Sequence, residues 1–140
     1  MGVNLMYEYR VKQVLKIVDG DTIDVDIDLG FDISFTSRVR LAGIDTPESR
    51  TTDKKEKTLG LEVKQRLKDV LSKSSSVVIR TEKPDSTEKY GRILGWIFID
   101  GAEKSINEAL IADGYAWGYM GETKIKDFAL LEAKRKQSGK

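Results

Sequence analysis

Residues 23–29 read IDVDIDL, an alternation of apolar and acidic side chains that is the clearest structural signal in the chain. The apolar residues occupy the odd positions and the aspartates the even ones, as side chains do on the two faces of a half-buried strand. Asp24, Asp26 and Asp28 are therefore expected on the solvent face of this strand, opposite an apolar face that packs into a core.

The segments on either side of this strand predict a β-rich front half and a helical back half. Further strands are predicted over Val11–Val18 and Ile33–Ile44, from Val77 onward, and over Ile93–Ile99. Helices are predicted from about Thr58 or Gly60 to Leu71, over Ile106–Asp113 and over Thr123–Lys136, with Thr46–Lys57 as a surface loop. This order predicts an α+β fold, mainly a small β barrel or curled sheet, in one domain over residues 1–140.

Two residue types are missing, and their absence excludes several classes of protein. The chain has no cysteine, which excludes disulfides, thiolate nucleophiles, cysteine-ligated zinc and iron–sulfur clusters. It has no histidine, which excludes Ser-His-Asp triads and HExxH zinc sites. A catalytic base is then expected to be a carboxylate, a lysine or a tyrosine. A bound metal is expected to be a hard cation with oxygen ligands, such as Ca²⁺, Mg²⁺ or Mn²⁺.

The charges nearly cancel, since 24 Lys and Arg stand against 23 Asp and Glu and leave a net charge of +1. Nucleic-acid binding would therefore need local basic patches. Arg50–Lys68 and Lys134–Lys136 are lysine- and arginine-rich, and they are either such patches or ordinary solvated faces. Tyr115, Trp117 and Tyr119 follow the second predicted helix and either stack on nucleobases or pack in the core.

The N-terminal residues MGVNLMYEYR contain no long apolar run. Neither a signal peptide nor a membrane span is expected in them. As the chain stands we expect a cytoplasmic protein without a membrane partner, or a secreted one if a leader has been removed.

Two groups of carboxylates lie next to predicted strand ends. Asp21 shares the odd numbering of the apolar strand residues, so a strand that continued back to it would turn its carboxylate toward the core, where it needs a cation or hydrogen bonds. Asp45–Glu48 (DTPE), taken alone, is more commonly a turn that caps a helix. Taken together with Asp21, the carboxylate of Asp45 and the carbonyl of Thr46 suit an oxygen cage for Ca²⁺, with Glu48 beside it to orient a water.

Three arginines are candidates for contacting a phosphate group. Arg38 and Arg40 are two residues apart in the third predicted strand and should share one of its faces, and Arg92 directly follows Lys89–Gly91. Each arginine alone is explained as a surface residue or a salt-bridge partner. Beside a carboxylate–metal site, their planar guanidinium groups would clamp a phosphoryl group during its transfer.

Four motifs together resemble the staphylococcal nuclease (thermonuclease) family, in its order and rough spacing. They are IVDGDT (Ile17–Thr22), VRLAGIDTPE (Val39–Glu48), KYGR (Lys89–Arg92) and INEALIADGYA (Ile106–Ala116). The resemblance extends over residues 9–136, nearly the whole chain. It implies a five-stranded OB-fold barrel with three α-helices and the activity of a Ca²⁺-dependent phosphodiesterase that cuts DNA and RNA.

The resemblance also implies roles for individual residues. The metal ligands would be Asp21, Asp45 and the carbonyl of Thr46. The catalytic side chains would be Arg40, Glu48 and Arg92. The tyrosines that contact the substrate would be Tyr90 and, after the NEAL motif, Tyr119.

The function expected from these residues is a monomeric Ca²⁺-dependent nuclease that prefers single-stranded or unpaired DNA and RNA. Two departures from the family concern its ends and loops: the chain stops at Gln137–Lys140 without the common Gly-Leu-Trp segment, and loops Ser49–Leu59 and Tyr115–Gly121 differ from the type enzyme. The alternatives are a catalytically silent OB-fold module that binds nucleic acid, and a structural domain stabilised by Ca²⁺.

Overall fold

The computed structural model describes residues 7–81, 93–119 and 126–137. Within these residues lie seven strands and three helices. The strands are β1 (Tyr7–Asp19), β2 (Thr22–Asp28), β3 (Ser34–Leu41), β4 (Ile44–Asp45), β5 (Val77–Thr81), β6 (Ile93–Ile99) and β7 (Trp117–Gly118). The helices are α1 (Lys54–Lys73), α2 (Ile106–Ala112) and α3 (Phe128–Gln137). None of these helices, as far as they are described, is long and apolar enough to cross a membrane.

Five of the strands close into a barrel in the order β1, β2, β3, β6, β5. β3 and β6 pair in parallel, and the other neighbouring strands of the barrel pair antiparallel. β4 and β7 form a separate two-stranded sheet. This architecture confirms the α+β fold with a five-stranded barrel and three helices that the sequence predicted.

The alternating pattern is confirmed from Ile23 to Asp28 and is wrong at Leu29. Ile23 and Val25 are 0% exposed and Ile27 is 3% exposed, while the aspartates between them remain partly accessible. Because the strand ends at Asp28, Leu29 lies beyond it and is 44% exposed. The apolar side of β2 therefore forms part of the core inside the barrel.

The predicted third strand is divided in two. β3 ends at Leu41, and the chain turns at Gly43, which has a positive φ of 76° that favours glycine. The two residues of β4 then pair with β7 instead of continuing in the barrel. This break separates Asp45 from the barrel strand that carries Arg40.

Helix α1 begins earlier than the sequence predicted, so the expected surface loop over Thr46–Lys57 is wrong at its end. The helix begins at Lys54, because the side chain of Asp53 accepts hydrogen bonds from the backbone N–H groups of Lys55 and Glu56. This is an N-cap, which satisfies donors that have no partner within the helix. The first turn is rich in lysine and has no apolar periodicity, so its helical state depends on the cap.

The buried side chain of Asn107 joins α2 to the barrel beneath the exit of β3. Its amide nitrogen donates to the carbonyls of Ala42 at 2.8 Å and Gly95 at 3.1 Å, and its amide oxygen accepts from the N–H of Ile97 at 3.1 Å. The side chain is 2% exposed, and all three partners are backbone groups. Asn107 thereby fixes the segment that leads from β3 toward β4.

The last helix begins at Phe128, so the predicted start at Thr123 is wrong for residues 126 and 127, which are described and are not helical, while residues 123–125 lie outside the described part. The side chain of Asp127 accepts from the N–H of Leu130 at the start of the helix. The helix buries Leu131, which is 0% exposed, against the turn after α2. A Cβ on Gly114 would lie 2.6 Å from the carbonyl oxygen of Leu131, so the small residue allows α3 to approach closely. This packing brings the start of α3 toward the loop that follows β4.

Candidate active site

The turn between β1 and β2 packs tightly against α1 and the loop after β4. A Cβ on Gly20 would lie 2.5 Å from Cγ1 of Val63 and 3.1 Å from Oγ1 of Thr46, so a larger residue does not fit. The neighbouring Asp19 side chain accepts a hydrogen bond from the hydroxyl of Ser49. The glycine in the GDT motif therefore allows three segments that are distant in sequence to meet at one place.

Asp21 lies in this turn, immediately before β2 begins at Thr22. The strand does not continue back to Asp21, so the condition under which its carboxylate was expected to turn toward the core is not met. Its side chain is 14% exposed, its carbonyl accepts from the N–H of Leu41 at 2.8 Å, and its Oδ1 accepts from the hydroxyl of Thr22 at 2.9 Å. The carboxylate is thus held near the end of β3.

Arg40 lies between the two carboxylates that the sequence analysis singled out. Its Nη2 is 3.6 Å from Oδ2 of Asp21 and 3.8 Å from Oδ1 of Asp45. The guanidinium also donates to the carbonyls of Leu41 at 2.9 Å and Ile44 at 2.8 Å. The residue is only 8% exposed, so these contacts fix one buried cation between two acidic side chains.

Arg38 has a different environment from Arg40. Its guanidinium forms a two-point contact with the carboxylate of Asp24, at 2.8 Å and 3.2 Å, and its side chain is 50% exposed. This contact lowers the pKa of Asp24 and raises the pKa of Arg38. The environment of Arg38 therefore fits the interpretation of this residue as a surface salt-bridge partner.

Asp45 is positioned by backbone pairing, and Thr46 follows it directly. Asp45 in β4 pairs with Trp117 in β7. Asp45 is 5% exposed and Thr46 is 3% exposed. The carboxylates of Asp21 and Asp45 both lie close to Arg40, and carboxylates are hard oxygen ligands of the kind that Ca²⁺ prefers. Within the described ranges, no group of three or more acidic side chains could hold a metal ion. The residues present fit a cation held by two carboxylates, a carbonyl and water.

Glu48 presents an exposed carboxylate on a fixed backbone. Its side chain is 58% exposed, and its N–H donates to Oε2 of Glu56 at 3.1 Å. Glu56 is 6% exposed and also accepts from Nζ of Lys126 at 2.8 Å. Nζ of Lys126 is 3.8 Å from Oε1 of Glu48, so the three side chains form one network.

The sequence analysis missed the role of Glu56, because it placed this residue in a loop. With Asp53 as the N-cap, Glu56 is the third residue of α1, where a capping-box glutamate would bond back to the cap. Here its carboxylate bonds to the loop of Glu48 instead. The aspartate–glutamate spacing was the available signal for it.

The contact with Glu56 raises the pKa of Lys126, first through their hydrogen bond and further through the negative charges of Glu56, Glu48 and Asp45. Burial acts in the opposite direction. Lys126 lies two residues before α3. Its ammonium group is therefore held in the charged form beside the carboxylates of Glu48 and Glu56.

The aromatic residues after α2 are mostly structural. Trp117 is 7% exposed, its ring packs edge-on against Phe128 at 5.6 Å, and its Nε1 donates to the carbonyl of Asp127 at 3.0 Å. The guanidinium of Arg135 covers the ring of Tyr115 at 4.3 Å. These contacts agree with core packing rather than base stacking for Trp117 and Tyr115.

Tyr119 is half-buried, and its N–H donates to the carbonyl of Gly43 at 2.8 Å, beside β4. Tyr90 and Arg92, which the resemblance implies as substrate contact and catalytic side chain, lie outside the described residues. Of the predicted set, the structure brings Asp21, Arg40 and Asp45 together, and Thr46 packs against the turn that precedes Asp21. Glu48 follows three residues after Asp45, and its described contacts are with Glu56, Lys126 and Gly60. Two carboxylates and an arginine in contact can bind a phosphate group through a cation, and an accessible glutamate in the following loop can activate a water.

Comparisons with known proteins give a consistent result. A family model described as staphylococcal nuclease homologue matches residues 38–140. The chain is similar to micrococcal nuclease of Shigella flexneri, with 35% identity over 86% of this chain and 64% of that protein. It is also similar to protein ParB of Escherichia coli, with 30% identity over 91% of this chain and 68% of the relative. An uncharacterized protein of Methanocaldococcus jannaschii, MJ1439, is 28% identical over 94% of this chain and 70% of its own length.

Proposed function

The chain belongs to the staphylococcal nuclease family, and on that premise we propose that it is a Ca²⁺-dependent nuclease that hydrolyses the phosphodiester bonds of DNA and RNA. The observation that carries this proposal is the position of Arg40 between Asp21 and Asp45, at 3.6 Å and 3.8 Å. The exposed carboxylate of Glu48 belongs to the same loop as Asp45.

In this proposal, the carboxylates of Asp21 and Asp45 and the carbonyl of Thr46 hold the Ca²⁺ ion. When bound, the ion neutralises negative charge on the phosphate and makes a coordinated water more acidic. The closeness of the two carboxylates supports the assignment, because Oδ2 of Asp21 and Oδ1 of Asp45 both lie within 4 Å of one guanidinium nitrogen, at 3.6 Å and 3.8 Å.

Glu48 is the proposed base. Its side chain is accessible to solvent while its N–H is fastened to Glu56, so the carboxylate can meet a water without losing its position. It orients this water and accepts its proton as the water oxygen attacks the phosphorus. The new bond joins the water oxygen to phosphorus, and the bond to the ester oxygen of the leaving nucleotide breaks on the opposite side.

Arg40 is proposed to stabilise the charge that develops on the phosphoryl oxygens. Two backbone carbonyls hold its guanidinium in place, so it needs no reorganisation during the reaction. A guanidinium has five N–H donors, which leaves donors for phosphoryl oxygens. On the family resemblance we propose Arg92 as a second arginine in this role, and Tyr90 and Tyr119 as substrate contacts.

The resemblance also supports a preference for single-stranded or unpaired regions and a monomeric state. The second candidate function is a catalytically silent module that binds nucleic acid. A module of that kind would not need a glutamate whose backbone is held in place as that of Glu48 is. The hydrogen bond from the N–H of Glu48 to the buried carboxylate of Glu56 therefore favours the nuclease.

The experiment is a cleavage assay on heat-denatured DNA, with Ca²⁺ or with excess EGTA. We expect the wild-type protein to release short products only with Ca²⁺, and Glu48→Gln to lose about 100-fold or more in turnover. Glu103→Gln, at an exposed position between β6 and α2, is the matched control and should retain full activity. Binding of the DNA without cleavage under any divalent cation would favour the silent module.

A further inference from the structure

An open groove of about 840 Å³ lies between β1 and α1. Residues 11–17 of β1 form one wall and residues of α1 from Leu61 to Ser72 form the other. Leu15 and Leu61 are 46% and 47% exposed on these opposite walls. Neither wall contributes a residue of the predicted catalytic or metal-binding set, so the groove is a separate feature of the surface.

The groove is lined by basic residues and by no acidic ones. Its lining includes Lys12 and Lys16 from β1 and Lys64 and Lys68 from α1, and it contains neither aspartate nor glutamate. We call these four residues the groove lysines. A cluster of four cations is notable in a chain whose net charge is only +1. The groove is therefore a local positive patch of the kind that a nearly neutral protein needs for binding a polyanion.

The groove lysines have no carboxylate partner in the part of the chain that the structure describes. The strand beside β1 explains why. Lys16 stands opposite Asp24 in the β1–β2 pairing, but the carboxylate of Asp24 is engaged by Arg38 at 2.8 Å. Asp28 is likewise engaged by Arg10 at 2.9 Å. Lys16 and Lys12 are attracted by Asp24 and Asp28, but the salt bridges that these carboxylates form are with Arg38 and Arg10. The ammonium groups of Lys12 and Lys16 can therefore contact a ligand.

One end of the groove lies next to the candidate active site. Ile17 in its wall lies two residues before Asp19, the last residue of β1, whose side chain accepts from Ser49 beside the turn at Gly20. Lys64 follows Val63, the residue against which Gly20 packs. From that end the groove follows β1 for seven residues, which is about 20 Å at the rise of a strand. A strand of nucleic acid bound at the site would therefore meet the groove as it leaves.

We propose that this groove binds the single-stranded nucleic acid that flanks the phosphodiester bond to be cut. The groove lysines contact its successive phosphates, and Leu15 and Leu61 offer apolar surface to the bases. The proposal rests on the proposed nuclease function, because continuity with that site is what favours nucleic acid over an acidic peptide. Phosphate contacts of this kind strengthen binding without regard to base sequence.

The test measures binding of a fluorescent twelve-nucleotide strand by anisotropy at several salt concentrations, in EGTA to prevent cleavage. We expect Lys64→Gln/Lys68→Gln to weaken binding and to reduce the slope of log K against log salt by about 1.4, since each single-strand phosphate contact contributes about 0.7. Lys12→Gln/Lys16→Gln, on the other wall, should have the same effect. Lys104→Gln removes an exposed charge outside the groove and outside both basic patches, and it should leave the slope unchanged.

Three results separate the possible outcomes. If the wild type cleaves denatured DNA and both groove variants bind like the control, the groove proposal is wrong while the nuclease function stands. If the wild type cleaves nothing but the groove variants lose binding and slope, the groove binds single-stranded nucleic acid as proposed, whereas the nuclease function and the groove's role beside a bond that is cut are both wrong. If polyglutamate of equal charge displaces the strand as well as unlabelled DNA does, the groove is a general site for acidic polymers and the proposal is overturned.

A second measurement distinguishes binding along the groove from a distorted active site. Hydrolysis of bis-p-nitrophenyl phosphate, which has no flanking chain, should proceed at the wild-type rate in both groove variants. KM for the twelve-nucleotide strand should rise in the same variants while kcat stays unchanged. A fall in kcat on the small substrate would overturn the proposal, because it would show that the lysines act on the site itself.

Discussion

The carbonyl oxygen of Glu48 lies so close to Gly60 that a Cβ on this helical glycine would stand 2.5 Å from it. The carbonyl of Pro47 would be 2.7 Å away. The backbone that carries the proposed base is therefore in direct contact with α1, and both atoms that a side chain would meet are backbone atoms that cannot rotate aside. The helix surface determines where the loop, and with it Glu48, can lie.

Gly60→Ala should reveal this contact. In an ordinary helix the change stabilises by about 1 kcal/mol. Here we expect a loss of about 1–3 kcal/mol, since the methyl group must displace the loop. We expect kcat to fall more than KM rises, because the shift moves Glu48. Thr58→Ala, at an exposed position of the same helix, is the control in urea unfolding and in the cleavage assay. Stability and kcat equal to those of the control would contradict the contact.

Because Arg40 is buried and Arg38 is exposed, we expect replacing them to have different effects on the free energy of unfolding. Arg40→Met removes the cation between two carboxylates and leaves two backbone carbonyls without a donor, so we expect a loss of about 3–5 kcal/mol in the free energy of unfolding. Arg38→Met removes only an exposed pair with Asp24, and should leave the free energy of unfolding close to that of the wild type.

Arg40→Lys separates charge from geometry. The ammonium group keeps the positive charge between Asp21 and Asp45, but it cannot reproduce the planar fork that donates to Leu41 and Ile44. We therefore expect it to recover part of the stability lost in Arg40→Met while turnover remains about 100-fold below the wild type. Full recovery of turnover would show that only the charge matters.

Calcium should stabilise the folded protein if Asp21 and Asp45 bind it. At a free concentration 100 times the dissociation constant, binding adds about 2.7 kcal/mol, which a thermal unfolding scan detects without any substrate. Asp21→Asn and Asp45→Asn should each remove most of this increase. Asp32→Asn is a suitable control, since the residue is exposed and its left-handed backbone, with φ of 61°, is one that asparagine tolerates. If calcium stabilised Asp21→Asn and Asp45→Asn as much as it stabilises the wild type, the metal would have to bind at another site.

Much of the fold and part of the site could be predicted from the sequence. The period of two in β2 specified which residues enter the barrel, and Ile23 and Val25 are indeed completely buried. Asp21, Arg40 and Asp45 could be grouped because each lies within a motif near a strand end. These are local signals, carried by neighbouring residues.

The features that the sequence analysis missed depend on contacts between distant residues or on one cap. Glu56 and Lys126 are 70 positions apart, and no periodicity relates them. The early start of α1 follows from the side chain of Asp53 rather than from an apolar face. The division of the third predicted strand needed the pairing of β4 with β7, which is a tertiary interaction. Such features arise from packing, which overrides local preference.

The contact between Lys126 and Glu56 should make stability depend on pH in the alkaline range. The fold raises the pKa of Lys126, so the ammonium is stabilised in the native state relative to the unfolded chain. Its contribution is fully present below the ordinary lysine value of about 10.4 and is lost as the pH rises through the higher native pKa. At pH 7 we expect Lys126→Met to unfold more easily by about 1–3 kcal/mol, because Glu56 loses a charged partner in a buried position.

The control for this prediction is Lys104→Met, which removes an exposed lysine between β6 and α2. Urea unfolding of both variants and the wild type from pH 7 to pH 11 checks it. The gap between Lys126→Met and the wild type should be constant up to about pH 10 and then close, whereas the control should show no gap that depends on pH. Because Glu56 also holds the N–H of Glu48, the same variant should lower kcat with little change in KM. A gap in stability without any change in kcat would mean that Glu56 holds the loop without help from Lys126.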